Sequence, residues 1–157
     1  MKGLAITYKG MEDITNFEIN ELLSTNTILN DGCVLFDIKN QDDLAVLCYK
    51  GQAVNRVLLL LDKFDVDDLS SFTRIAEIDF SEFLNKDKTF AVRCEIIDCD
   101  LESKEVENAI GKEIEGKVNL KNPDVTVFAY INAKKCYIGI DFSGDLSKRD
   151  YKIFTCR

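Results

Sequence analysis

Apolar residues recur along this chain in two periods, one typical of strands and the other of helices. Six segments have a strand pattern. Most of them alternate apolar with polar residues, and one contains the continuously apolar run Val57 to Leu61. Alternation indicates a strand with one buried face, whereas a short continuous run indicates a strand buried on both faces. The strands predicted on this basis are 4–8, 33–38, 54–61, 90–97, 125–131 and 136–142.

Four other segments carry apolar residues at helical spacing, and their neighbours supply start and stop signals. Thr15 and Glu18 form a capping-box pattern, in which a hydroxyl and a carboxylate satisfy backbone amides where a helix begins. Ser103 is a predicted N-cap, and Gly51 and Gly116 are predicted to end helices. The expected buried stripes are Ile19, Leu22 and Leu23; Leu44, Leu47 and Cys48; Leu69, Phe72, Ile75 and Ala76; and Val106, Ala109, Ile110 and Ile114.

This order of elements predicts an α+β protein with two domains. Strand, helix, strand, helix, strand and helix over residues 1–80 indicate a ferredoxin-like α/β sandwich. Residues 81–89 lack periodicity and are predicted to be a connector. The pattern restarts at Phe90, so residues 90–157 are predicted to form a second α/β domain.

The residue types that the chain contains limit the catalytic mechanisms and metal sites that are possible. It has no histidine, which excludes every mechanism that needs an imidazole base or ligand. Its six cysteines contain no CxxC pair, so we interpret them as small buried apolar residues rather than as zinc ligands.

Charge is distributed unevenly. The formal net charge is −8, and residues 1–87 alone hold 16 acidic and 8 basic side chains. Residues 117–157 instead hold 8 basic and 4 acidic side chains. An acidic helix face, which we expect to point away from any anionic ligand, comprises Glu102, Glu105, Glu107 and Glu113.

Two features of the sequence bear on the location of the protein in the cell. No apolar run approaches the roughly 18 residues that span a bilayer, and the first residues lack the apolar stretch of a secretory signal. We therefore expect a cytoplasmic protein.

Five segments of the second half resemble a THUMP domain in order and spacing. They are Phe90-Ala-Val-Arg93, Ile110-Gly-Lys-Glu-Ile114, Val118-Asn-Leu-Lys-Asn-Pro-Asp124, Tyr137-Ile-Gly-Ile-Asp-Phe-Ser-Gly144 and Leu146-Ser-Lys-Arg-Asp-Tyr151. In the first half, Lys9-Gly-Met-Glu-Asp13 and Asn55-Arg-Val57 are similar to the ferredoxin-like domain that precedes THUMP in RNA-modifying enzymes. The whole chain resembles the N-terminal part of archaeal and bacterial THUMP-containing RNA (guanosine-N2) methyltransferases.

The resemblance implies an RNA-binding module that holds the single-stranded 3′ end of tRNA, or of another structured RNA. In the family, a following Rossmann-type domain binds S-adenosylmethionine and transfers the methyl group. This chain has no Gly-rich GxGxG loop, and with one proline it cannot carry the family's Asn/Asp-Pro-Pro-aromatic signature. We therefore expect no catalytic residue, metal or cofactor in this chain, and a methyltransferase domain in the same or another chain as its partner.

RNA recognition needs cations that contact phosphate, aromatic rings that stack on bases and polar groups that bond to base edges. The resemblance and this chemistry together select the candidate residues. Each also has a purely structural explanation. Arg93 could pair with a carboxylate such as Asp141, and the lysines could be ordinary solvated turn residues. The candidate RNA-binding residues are Arg93, Lys121, Asn122, Lys134, Lys135, Lys148, Arg149, Tyr151 and Lys152.

Three other functions are consistent with the sequence. The first is a free-standing THUMP adaptor that presents tRNA to an acetyltransferase. The second is the targeting part of a 4-thiouridine synthetase. The third, from a different class, is an acidic ferredoxin-like interaction or small-ligand module with no role in RNA binding.

Lys148→Ala combined with Arg149→Ala is expected to weaken tRNA binding, because two cations that contact phosphate are removed. On a single strand each lost phosphate contact should lower the salt dependence by about 0.7 log units per log unit of salt. Fluorescence titration measures this, with circular dichroism as the check on folding. Unchanged affinity in the folded variant removes both residues from the binding surface.

Overall fold

A computed structural model of the protein describes residues 1–146, which form eight strands, three α-helices and one 3₁₀ helix. They fall into two compact units. Of the described residues, the first unit contains 1–59 and 142–146, and the second contains 60–141. No helix among the described residues has the length and apolar character needed to cross a membrane.

The first unit has the β-α-β-β-α-β order of a ferredoxin-like fold. Its strands lie in the order β2-β3-β1-β4, and β3 is antiparallel to both β1 and β2. The fold class predicted from the sequence is therefore confirmed for this unit. The elements are β1 (Lys2–Ile6), α1 (Glu12–Leu23), β2 (Thr27–Asn30), β3 (Cys33–Asp37), α2 (Gln41–Lys50) and β4 (Arg56–Asp65), whose residues from Leu60 on belong to the second unit.

The core of the first unit is built from the strands and from one stripe of each helix. Leu4 and Val34 of the central strands are fully buried, as are Ile19 of α1 and Leu44 and Leu47 of α2. Of the predicted stripes, Ile19, Leu44 and Leu47 are confirmed as buried, whereas Leu22, Leu23 and Cys48 are only partly buried. Burial of these apolar side chains is the main force that holds the helices on the sheet.

The predicted capping box at the start of α1 is wrong. The helix begins at Glu12, and Thr15 is a fully buried residue inside it. The Thr15 hydroxyl lies 3.0 Å from that of Thr7, which donates to the carbonyl of Ala53 at 2.9 Å. Glu18 accepts from the backbone amide of Gln52 at 2.8 Å. Both side chains therefore satisfy distant groups, which a local sequence motif does not reveal.

The sequence pattern also missed β2. Ile28 and Leu29, consecutive residues of this strand, are 54% and 40% exposed, so no alternation marks it. A turn at Asp31 and Gly32 joins β2 to β3, with Gly32 at φ +73°. A glycine suits this left-handed backbone because it has no Cβ.

The second unit is organised around a parallel pair of strands, β5 and β7, which are in register from Phe90 opposite Val125 to Ile97 opposite Asn132. Its strands lie in the order β8-β7-β5-β6, with β8 antiparallel to β7 and β6 parallel to β5. The elements are the 3₁₀ helix Leu69–Glu77, β5 (Thr89–Ile97), α3 (Ser103–Lys112), β6 (Lys117–Val118), β7 (Val125–Asn132) and β8 (Lys135–Asp141).

Helix α3 packs its apolar stripe on β5. Val106 and Ile110 are fully buried, and Ile114, just beyond the helix, is 6% exposed. The predicted N-cap is wrong, because Ser103 is the first helical residue and Glu102 occupies the cap position without a side-chain hydrogen bond. The helix is therefore held by its buried face rather than by its cap.

The element at residues 69–77 is a 3₁₀ helix rather than the predicted α-helix. With three residues per turn, Phe72 and Ile75 fall on one side and are fully buried, whereas Ala76 is exposed. Its start is capped by Asp68, whose carboxylate accepts the amide of Ser70 at 2.9 Å. Phe72 packs edge-on against Phe64, with ring centroids 6.0 Å apart.

The compact units divide the chain at different positions from the predicted domain bounds. The 3₁₀ helix lies in the second unit, where it contacts α3. Residues 81–88, most of the predicted connector, contain only turns. The domain bounds 1–80, 81–89 and 90–157 stay a prediction.

Glu12 links two glycine turns, and its replacement is expected to alter the pH dependence of stability. Its carboxylate accepts the amides of Gly32 and Gly10, each at 2.8 Å, and these bonds hold the Glu12 pKa below its ordinary value. A lowered folded-state pKa gives stability that is present above the unfolded pKa and is lost as pH falls through the folded pKa. Glu12→Gln should therefore lower the free energy of unfolding by about 1 kcal/mol at pH 7 and much less near pH 3.

Urea unfolding of both proteins at the two pH values measures this difference. Glu21→Gln is the matched control, since Glu21 is an exposed residue of the same helix. An equal loss of stability at both pH values would show that the ionised carboxylate is not responsible.

Candidate functional site

Arg93, in the middle of β5, is held by two backbone carbonyls. Its guanidinium donates to the carbonyl of Leu120 at 2.6 Å and to that of Val92 at 3.1 Å. No carboxylate within residues 1–146 forms an ion pair with Arg93. The expected alternative, a structural pair with Asp141, is therefore not observed, and no carboxylate of the described residues neutralises Arg93.

The loop that Arg93 contacts carries two other candidates. Asn119 fixes this loop, because its side-chain oxygen accepts the amides of Lys121 at 3.2 Å and Asn122 at 3.1 Å. Such a side-chain turn holds a polar loop in one conformation. Both Lys121 and Asn122 are exposed. The structure thus brings Arg93, Lys121 and Asn122 together.

The other two described candidates lie in the tight turn between β7 and β8. Lys134 is exposed, and its carbonyl accepts the amide of Val66 at 2.7 Å. The ammonium of Lys135 lies 2.7 Å from the carboxylate of Asp65, and this pair keeps the Asp65 pKa below its ordinary value. Lys135 therefore offers less net charge to an anion than Lys134 does.

The two groups of candidates lie at opposite ends of β7. The loop with Lys121 precedes Val125, where β7 begins, whereas the turn with Lys134 follows Asn132, where it ends. At about 3.3 Å per residue the strand separates them by about 23 Å. They cannot contact the same phosphate, although a bound polynucleotide could reach both.

The remaining candidates, Lys148, Arg149, Tyr151 and Lys152, lie outside the described residues. Their assignment to RNA binding stays a prediction.

A groove lies between α3, β5 and the segment that contains β6, next to the loop held by Arg93. Its volume is about 550 Å³. Sequence reasoning missed it, although an unexplained glycine inside a helix, Gly111, was a usable signal. The lining residues are Phe90, Val92, Lys104, Glu107, Asn108, Gly111, Lys112, Val118 and Leu120.

The expected single acidic face of α3 is wrong. Glu107 lines the groove beside Lys104 and Lys112, whereas Glu105 and Glu113 line a second hollow against the 3₁₀ helix. The groove therefore has a mixed rim with two cations and one carboxylate.

The thiols near this region are poor nucleophiles. Burial raises the pKa of Cys94 to about 11 and also raises that of Cys136. Both thiols are therefore protonated near neutral pH. Within residues 1–146 no cluster of His, Cys, Asp or Glu side chains is arranged to hold a metal ion.

Comparison with known proteins finds a family match within the second unit. Residues 65–141 match the THUMP domain. The match begins before β5 and ends with β8, so it contains the 3₁₀ helix, the parallel strand pair, the groove and the loop with Lys121.

Two curated relatives are methyltransferases. The tRNA (guanine(6)-N2)-methyltransferase of Methanocaldococcus jannaschii is 27% identical over 123 residues, covering 68% of this chain and 32% of the relative. The ribosomal RNA large subunit methyltransferase K/L of Psychrobacter cryohalolentis is 24% identical over 159 residues, covering 90% of this chain and 20% of the relative. The chain thus spans about a third and a fifth of these relatives' lengths.

A solved structure shows the same fold. TrmN from Thermus thermophilus superposes with a TM-score of 0.71 at 20% sequence identity, covering 94% of this chain and 47% of that one.

The ion pair in the β7–β8 turn yields a direct prediction. Lys135→Ala should raise the Asp65 pKa toward its ordinary value, because the hydrogen bond and the positive charge that lower it are both removed. A carboxyl-detected NMR titration measures this shift. Lys134→Ala is the matched control, and an equal shift in both variants would show that the Lys135 contact is not specific.

Proposed function

This chain contains a THUMP domain at residues 65–141, and from that premise we propose that it is the RNA-binding part of an S-adenosylmethionine-dependent RNA methyltransferase. Its RNA ligand is tRNA, held by the single-stranded 3′ end. The methyl transfer itself belongs to a catalytic domain, in the same or another chain, that receives the target nucleotide. The names of both relatives, one acting on tRNA and one on ribosomal RNA, support methylation of RNA as the shared activity.

The observation that carries the proposal is the cationic loop beside β5. The guanidinium of Arg93, which forms no ion pair within residues 1–146, and the exposed Lys121 lie together in a protein whose net charge is −8. Phosphate contacts require such cations, and a strongly acidic protein binds RNA only through a local positive surface. The fixed loop also offers the side chain of Asn122, which can bond to a base edge.

A single-stranded end is the favoured ligand for a physical reason. Duplex RNA presents a uniform backbone, whereas an unpaired end exposes bases that can be bound on their faces and edges. A small module with few cations gains more from such contacts than from phosphates alone.

The cofactor is assigned to the catalytic domain because this chain does not fit it. Its eight glycines include no run that forms a Gly-rich loop between a strand and a helix. S-adenosylmethionine supplies the methyl group there, and the residues of this chain hold and orient the RNA.

Removal of both cations should weaken RNA binding and its salt dependence. We expect Arg93→Ala with Lys121→Ala to reduce the affinity for tRNA about tenfold or more at low salt. It should also lower the slope of log affinity against log salt by about 1.4, since each phosphate contact on a single strand contributes about 0.7. Fluorescence anisotropy across a salt series measures both quantities.

Two controls sharpen this experiment. Lys9→Ala with Lys39→Ala removes the same charge from exposed positions of the first unit and should change affinity little. Lys121→Ala alone tests the site without disturbing the Arg93 anchor of the loop. The proposal fails if the unaltered chain shows no salt-sensitive affinity for tRNA, or binds tRNA equally well after its single-stranded end is removed.

A further inference from the structure

The groove beside α3 has an apolar wall that is open to solvent. Val118 and Leu120 are 59% and 64% exposed, while Phe90 and Val92 beneath them are buried. Two large aliphatic side chains exposed side by side along one segment lose the stabilisation that burial would give them. Their position is explained if a flat apolar surface packs against them in the bound state.

Gly111 opens this groove and has no other structural reason to be glycine. It is the last but one residue of α3, and glycine favours a helix less than alanine does. Its backbone does not have the positive φ that favours glycine, and a Cβ added there would have no heavy atom within 4 Å. The absence of a side chain at Gly111 therefore keeps the groove open and is not needed for the packing of α3 on β5.

The polar rim of the groove carries two lysines and the carboxylate of Glu107, and this net positive charge suits a singly charged anion. Lys104 and Lys112 line it, and Lys117 and Lys121 are sequence neighbours of the apolar wall. None of these four lysines forms an ion pair with another residue in the described part of the chain. Their charges are available to a ligand, although the protein as a whole is acidic.

We propose that this groove is a binding site for one unpaired nucleotide. The base packs on Val118 and Leu120 in the space that Gly111 leaves open, and Lys104 and Lys112 contact the adjoining phosphate. Asn108, with both a donor and an acceptor, meets the polar edge of the base. This inference rests on the proposed RNA-binding function and names the subsite that holds a base rather than only the backbone.

The size and place of the groove agree with this occupant. Its volume of about 550 Å³ lies in the range of small-ligand sites, about 300–1,000 Å³. A helical duplex cannot enter, because its bases are stacked and paired. The groove adjoins Leu120, whose carbonyl accepts from Arg93, so a strand leaving it meets the cationic loop directly.

Filling the groove tests the proposal with little risk of unfolding the protein. Gly111→Leu places a side chain into open space, and leucine favours a helix more than glycine does. We expect this variant of the full chain to bind a fluorescein-labelled single-stranded RNA hexanucleotide at least tenfold more weakly than the unaltered chain. Gly111→Ala, which adds one carbon, should change affinity less than threefold.

Three additional measurements test whether a lost affinity has a cause other than the filled groove. Ala45→Leu adds the same side chain at an exposed position of α2 in the first unit and should leave affinity unchanged. Thermal unfolding should show Gly111→Leu to be at least as stable as the unaltered chain. A blunt-ended RNA duplex should bind Gly111→Leu and the unaltered chain alike, since it does not use the groove.

The outcomes separate this inference from the proposed function. If the unaltered chain binds the hexanucleotide with salt-sensitive affinity and folded Gly111→Leu binds it equally well, the nucleotide site is refuted and the RNA-binding function stands. If the unaltered chain binds no RNA, both are refuted. A loss of affinity confined to Gly111→Leu supports the site.

Discussion

The parallel pairing of β5 and β7 is the constraint on which the candidate site depends. Parallel neighbours cannot be joined by a tight turn, so the chain must cross over between them. Helix α3 makes the crossover, and the chain then returns to the beginning of β7 beside the beginning of β5. That return brings Leu120 within reach of Arg93 and creates the groove between the helix, the strand and the returning segment.

Much of the fold could be predicted from the sequence, because buried strands and helix stripes leave periodic patterns. Strands near 90–97, 125–131 and 136–142 and the stripe of Val106 and Ile110 are present in the structure. The failures have a common cause. Strands β2 and β6 are short and mostly exposed, and Thr15 and Glu18 bond to residues far along the chain. Local motifs do not encode partners that only tertiary structure supplies.

The candidate site was less predictable than the fold. Charge and family resemblance selected Arg93, Lys121 and Asn122, and a hydrogen bond plus a side-chain turn bring them together. The same reasoning selected Lys135 without revealing that Asp65 neutralises it. It also overlooked Lys104 and Lys112, since their relation to Val118 and Leu120 arises only when α3 packs on β5.

The two anchors of the 119–122 loop have a thermodynamic consequence. Asn119 and Arg93 hold the backbone through hydrogen bonds that exist before any ligand arrives. Ordering a residue on association costs about 1–2 kcal/mol of conformational entropy, and a loop already immobilised by the folded protein avoids that cost. For the proposed RNA ligand, the conformational entropy lost on binding would therefore come mainly from the RNA strand and not from this loop.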